Sequence, residues 1–173
     1  MSRLDFFIDK KVVMSSKPGI PYTSLGAENK DVLLNHRQFI KDAVFDRLVR
    51  LSKHDCSTMS AAELIQTGCA DPVRLFVKRE PHPTKKQLTL RWRLIMACSL
   101  VDQLVERVLH SAQNEREIAT WTDNPSAPGI GLADDKVLRA FYKRIEGLRD
   151  GKNLAEADVT GFDWSVQEWE LLH

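Results

Sequence analysis

Apolar residues return at helical spacing in three long stretches, and loops rich in proline and glycine fence those stretches off from one another. This alternation constrains the chain most, because it forces separate helices joined by shaped turns. Phe39, Ala43, Val44, Leu48 and Leu51 predict a helix from Asn35 to about Ser52. Leu100, Leu104, Val105, Val108 and Ala112 predict a second, opened by the cap Ser99 with Asp102 and running to about Thr120. Val137, Leu138, Phe141, Ile145 and Leu148 predict a third from about Asp134, closed by Asp150-Gly151. Ser60 with Glu63 forms a capping box for a short helix ending near Gly68, and Ser165 with Glu168 starts a last one. The fences are SSKPGIPYTSLG over 15–26 and SAPGIGL over 126–132. Two prolines and two glycines in the first forbid a regular helix there.

Between the helices two segments read as strands, 74–80 and 88–96. The second alternates Leu88, Leu90, Trp92 and Leu94 with Arg91 and Arg93. Their connection, 81–87, is basic, holds two prolines and reads as a loop. The opening residues to about Val13 read as strand or irregular, and 154–160 as a short buried strand. The expected fold class is therefore α+β, helix-rich with a small antiparallel sheet. A length of 173 residues suits one domain or a piece of a larger one, and 43% hydrophobic with 28% charged residues argues against disorder. The longest apolar run, Leu94 to Cys98, is far too short to span a membrane, and the first residues lack the pattern of a secretory signal. Cys56, Cys69 and Cys98 are odd in number and lack CxxC spacing, so they read as buried or idle thiols of a reducing compartment. Zinc on His54, Cys56 and Cys69 would want a fourth ligand that is not evident. No stop signal surrounds His173, so the sequence is expected to be cut there.

Charge is locally polarised although the net is only +1. From Arg74 to Arg93 there are seven basic residues and one acid, Glu80, a local net of +6. From Asn153 to Glu170 there are five acids and no Lys or Arg, a local net of −5. Two solvated faces would account for both. The strand alternation suggests more, because Lys78 shares a face with Glu80, and Arg91 with Arg93. Paired as a hairpin, these would gather cations around one acid, suited to a triphosphate or a nucleic-acid backbone.

In ADVTGFDWS (157–165), Asp158 lies among apolar residues, where a lone carboxylate is costly unless paired or bound to a cation. Bringing Asp158 and Asp163 together needs a bend, which Gly161 permits. Such a turn could offer carboxylates to magnesium. Alternatively, Asp163 caps the helix that follows. The sequence contains no GxxxxGK[ST], GxSxG or HExxH, and Gly129-x-Gly131 is no dinucleotide fingerprint. His82, between two prolines, could serve as an acid or base or simply belong to its loop.

In order along the chain, these segments resemble the RNA-directed RNA polymerases of positive-strand RNA viruses, most closely the sobemovirus, polerovirus and barnavirus group and more distantly those of picornaviruses. The matching text is SSKPGIPYTSLGAENKDVL (15–33), VKREPHP with KK (77–86), RWRLIMACSLVDQLVERVL (91–109), AQNEREIATW (112–121), SAPGIGL (126–132) and AEADVTGFDWSVQEWEL (155–171). The resemblance implies a right-hand polymerase, with fingers elements over 1–153 and the first palm strand, turn and helix, incomplete, over 154–173. It implies a template-entry loop at 15–26 working through Ser16, Gly19 and Pro21. It implies a nucleotide-channel hairpin at 74–96, with Lys78, Arg91 and Arg93 on the incoming triphosphate, Lys85 or Lys86 assisting, and Glu80 holding the arginines. Asp158 would bind metal, Mg²⁺ or Mn²⁺, and Asp163 would probe the ribose 2′-hydroxyl. Implied partners are the RNA template, the nascent strand, NTPs and other viral replication proteins, and the implied place is the host cytoplasm at replication complexes.

The family's later palm motifs, a Ser-Gly…Thr…Asn segment and a Gly-Asp-Asp turn, do not occur in these residues, nor does a thumb. A two-metal site needs the carboxylates of that turn. The expectation is a polymerase portion that does not polymerise alone. A non-catalytic RNA- or nucleotide-binding module is the alternative, and a metal-dependent nuclease using Asp158 and Asp163 a weaker third.

Overall fold

The computed structural model describes residues 3–81, 83–127, 130–149, 151, 155, 157 and 158. The chain divides into two units, Met1–Glu115 and Arg116–His173. Among the described residues the elements run α1 (Arg3–Lys11), α2 (Asn29–Lys53), α3 (Ala61–Gln66), β1 (Arg74–Val77), α4 (Thr84–Leu88), β2 (Leu94–Ala97), α5 (Leu100–Ala119) and α6 (Asp135–Arg149). One-turn 3₁₀ segments add Tyr22–Ser24 and Cys56–Thr58. The fold is helix-rich with one two-stranded antiparallel sheet. Among the described residues, no helix is long and apolar enough to cross a membrane.

The core of the first unit lies among α1, α2 and α5. Ile8, Val32, Ile40, Leu100, Val101 and Leu104 are fully buried there. The helical start corrects the expectation of a strand. Leu4, Phe7, Ile8 and Lys11 fall at helical spacing, and the apolar three pack against this core. Arg37 and Lys41 of α2 fasten α1 through Asp5 and Asp9, at 2.8 to 3.1 Å.

Helix α2 begins six residues before the expected Asn35. Its first-turn amides, which lack partners within a helix, are taken up by the preceding loop. Asn29 N–H donates to the Ser16 carbonyl (2.8 Å) and Lys30 N–H to the Met14 carbonyl (3.0 Å). The side-chain amide of the fully buried Asn29 adds a bond to the Val13 carbonyl (2.9 Å). The helix kinks at His36, where φ is −131°. Just before it, the Asn35 side-chain amide donates to the Asp31 carbonyl (3.0 Å), the acceptor in the main-chain ladder at that turn. The apolar seam also differs from the expected one. Ile40 and Val44 are buried, whereas Phe39 is 55% exposed and lies edge-on near Tyr22.

The caps at Ser60 and Ser99 form as expected, the first as a reciprocal box and the second through its hydroxyl alone. Ser60 accepts from Glu63 N–H while Glu63 accepts from Ser60 N–H (2.8 Å). Asp102 N–H donates to Ser99 Oγ (3.0 Å) at the start of α5.

The sheet is shorter than expected. Arg74 pairs with Ala97 and Val77 with Leu94. One further bond, from Lys78 N–H to the Arg93 carbonyl (2.8 Å), continues the ladder. Residues 88–93 are not strand. Leu88 ends α4, which occupies the expected loop, and Leu90 has φ +53°. Leu88, Leu90, Trp92 and Leu94 therefore do not line one strand face, and Arg91 and Arg93 do not share one.

In the second unit, a turn links the end of α5 to α6. Arg144 of α6 donates to the carbonyls of Trp121 and Asn124, and its guanidinium lies 5.9 Å from the Trp121 ring centre. Val137, Leu138, Phe141 and Ile145 are half-buried along one side, but Leu148 is exposed. Of the expected buried strand at 154–160, Ala155, Ala157 and Asp158 are exposed and belong to no strand. The rest of that segment, and the helix expected from Ser165, lie outside the described residues.

Candidate functional site

Loop 15–26 is held from both sides. Its Ser16 carbonyl, with that of Met14 just before it, caps α2, and the Pro18 carbonyl accepts from Leu100 N–H (2.7 Å), the first amide of α5. Pro18 and Gly19 are buried between these attachments. Gly19 adopts φ +70°, and a Cβ there would stand 2.6 Å from the Cys98 carbonyl oxygen and 2.7 Å from Ser99 Cα. Backbone meets backbone at this position, which only glycine permits. The Ile20-Pro21 peptide is cis, and Thr23 N–H closes the turn on the Gly19 carbonyl (2.9 Å). Ser16 and Pro21 are exposed on the loop surface.

The loop and the hairpin wall one open cavity of about 600 Å³. Lys17, Gly19 and Thr23 contribute from the loop, and Arg74, Phe76 and Arg79 from the hairpin. Three cations and no acid line it among the described residues. A neighbouring cavity of about 360 Å³ takes Ser16, Lys17 and Gln103 against β2. A basic cleft with an aromatic ring on its wall suits a phosphate-bearing chain, since guanidinium groups bind phosphate with two parallel donors.

Glu80 is the acid at the centre of the hairpin cations. Lys78 Nζ lies 2.7 Å from one of its oxygens and Arg93 Nη1 3.6 Å from the other. Such surface pairs stabilise little, so their effect is to orient. Lys85 and Lys86 are exposed on α4, and Arg91 is exposed beyond it, its N–H on the Lys86 carbonyl (2.9 Å). The structure thus brings Lys78, Glu80 and Arg93 together and leaves Lys85, Lys86 and Arg91 on the solvent side. Asp158 is an exposed residue of the second unit. Asp163 and Gly161 lie outside the described residues, as do His82, Pro128 and Gly129. Among the described residues, no three His, Cys, Asp or Glu side chains gather as a metal site.

Sequence reasoning missed a half-buried polar cluster at the foot of the hairpin. Arg47 of α2 pairs with Asp71 (2.9 Å) and with Asp102 of α5. Asp71 N–H donates to Asp102 Oδ2 (2.9 Å), and Ser99 Oγ donates to Asp71 Oδ2 (2.6 Å). Burial raises the Asp102 carboxyl above its ordinary value, against the pull of the Asp71 amide and Arg47. Burial, helped by the nearby Asp71 carboxylate, pushes the Tyr22 phenol up to about 12. The available signal was Arg47 itself, placed at the spacing of a core residue between Val44 and Leu51.

Comparison with known proteins shows which family carries these motifs. The family profile described as viral RNA-directed RNA-polymerase matches residues 8–145, and the chain belongs to that family. It is 44% identical to the replicase polyprotein P2AB of Southern cowpea mosaic virus over 162 residues, covering 93% of the chain and 17% of that polyprotein. It is 39% identical to the RNA-directed RNA polymerase of mushroom bacilliform virus over 166 residues, covering 95% of the chain and 39% of that protein. The protein P1-P2 of potato leafroll virus is 41% identical over 173 residues, covering 88% of the chain and 16% of that protein. The chain therefore spans well under half the length of each of these relatives. No solved structure matches.

Proposed function

We propose that this stretch forms the fingers wall of an RNA-directed RNA polymerase, gripping the template strand in the cleft between loop 15–26 and the basic hairpin. The observation that carries the reading is the cleft itself, with Lys17, Arg74 and Arg79 facing a space of about 600 Å³. Salt-sensitive contacts of this kind hold a nucleic-acid backbone without reading its sequence. Beyond the strands of the hairpin, Lys78 and Arg93, oriented by Glu80, would neutralise the triphosphate of an incoming NTP. In the whole polymerase the RNA 3′-hydroxyl would attack the α-phosphate and release pyrophosphate.

Among the described residues no three His, Cys, Asp or Glu side chains gather to hold Mg²⁺ or Mn²⁺. Asp158 remains the candidate carboxylate for such an ion, and Asp163 the candidate for ribose selection, at the start of the palm. Other viral replication proteins, and replication complexes in the host cytoplasm, are the setting this reading expects.

The test is RNA binding and primer extension by the whole polymerase. Lys17→Ala with Arg79→Ala should weaken RNA binding at all sequences and lower the slope of log affinity against log salt by about one to two, near 0.7 per lost contact on a single strand. Unchanged affinity and slope would remove the cleft from the reading. The 173-residue chain alone should bind RNA without extending a primer, and template-dependent incorporation by it would overturn the division of labour.

A further inference from the structure

The hairpin gains little support from its own faces. Leu75 and Met96 are 53% exposed and Phe76 is 39% exposed. A two-stranded ribbon with its apolar side chains in water is marginally stable by itself. What fixes its direction must act at its foot, where the chain enters β1 after Asp71 and leaves β2 before Ser99. Those two residues are bonded directly, Ser99 Oγ to Asp71 Oδ2 at 2.6 Å. The bond is doubled by Asp71 N–H on Asp102 Oδ2 (2.9 Å). Arg47 locks the pair to α2, with a side chain only 7% exposed, and Ser99 is 1% exposed.

We propose that the half-buried Arg47–Asp71–Ser99–Asp102 cluster is a clasp that sets the pose of the basic hairpin, and through it the affinity of Lys78 and Arg93 for the nucleotide triphosphate. The second half rests on the function proposed above. Each member of the cluster touches a different part of the wall: α2, the entry to β1, the exit from β2, and the first turn of α5. None of the four lines the cleft among its described residues. They are positioning residues, and a misplacement of about 1 Å at the hairpin is enough to cost binding.

The test uses the whole polymerase with Ser99→Ala and Asp71→Asn. The first cuts the bond across the foot, and the second removes the charge while keeping the shape and leaving the α5 cap intact. Hydrogen exchange should quicken about tenfold or more at the amides of β1 and β2 in both variants, and with Asp71→Asn, which keeps the α5 cap, it should stay unchanged at Ile40 and Leu104. The KM for NTP should rise about threefold or more, with kcat within about twofold. Hairpin exchange that stays as in the parent, or core amides that loosen equally with Asp71→Asn, would overturn the clasp. Arg93→Ala separates the two ideas. If Arg93→Ala raises KM and the foot variants loosen the hairpin without doing so, the positioning proposal fails. If Arg93→Ala also leaves KM unchanged, the fault lies in assigning nucleotide binding to the hairpin.

Discussion

Gly19→Ala is the sharpest test of how the cleft is built. At φ +70° an alanine sits in the left-handed region, a cost of about 1–2 kcal/mol. Its methyl group would also stand 2.6 Å from the Cys98 carbonyl oxygen, with backbone on both sides and no side chain able to swing away. The loop must then lift from the β2–α5 junction. Lifting it breaks the bond from Leu100 N–H to the Pro18 carbonyl and strains the one from Thr23 N–H to the Gly19 carbonyl. Each is worth about 1 kcal/mol net, more if Leu100 N–H stays buried without a partner. The sum is about 3 kcal/mol. For a chain of this size that lowers the thermal midpoint by about 6–12 °C. Urea unfolding of the parent, Gly19→Ala and Gly131→Ala measures it. Gly131 has open space where a Cβ would go, so its variant should stay within about 0.5 kcal/mol of the parent. A Gly19→Ala variant as stable as Gly131→Ala would refute the close approach, and with it the account of how the loop is held against the hairpin.

Arg47→Ala strands two mostly buried carboxylates and should cost about 3–5 kcal/mol in urea unfolding at neutral pH. The same variant has a pH signature. The folded Asp102 carboxyl lies above its ordinary 3.8, so its contribution to stability is full below that value and is lost as pH rises through the raised one. Removing Arg47 raises it further, so the deficit against the parent should shrink in mildly acidic buffer, and a deficit independent of pH would contradict this. Gly147→Ala, in the exposed last turns of α6 with open space around it, should stabilise the second unit by about 0.5–1 kcal/mol in thermal unfolding. Arg37 holds the Asp9 carboxyl below its usual range by a hydrogen bond, so Arg37→Ala should return that carboxyl upward in an NMR titration, and no movement would deny the pair.

What was legible in the sequence was what local chemistry decides. Ser60 with Glu63 and Ser99 with Asp102 cap helices, because a hydroxyl three residues before an amide is a local geometry that needs no tertiary partner. The family was legible for a related reason: the loop at 15–26 and the charged hairpin text stand in the chain as short local motifs whose order resembles the family's. The failures share a physical cause. Helix α2 starts at Asn29 with its first two amides on distant carbonyls at Ser16 and Met14, which no window around Asn29 contains, while the local half of the signal, Asp31 accepting from the Glu28 amide (3.0 Å), was overlooked. Residues 88–93 alternate like a strand, yet they leave the ladder because α4 and the positive φ of Leu90 turn the chain away. The same rule explains the overlooked cluster. Asp102 was legible as a cap residue, but its carboxylate is spent on Arg47, 55 residues earlier, and on the amide of Asp71. A side chain that satisfies a local motif with its backbone and a distant one with its carboxylate shows only the first to a sequence reader. Such double use is expected where a functional ribbon must be aimed, because aiming needs bonds between segments that the chain itself keeps far apart.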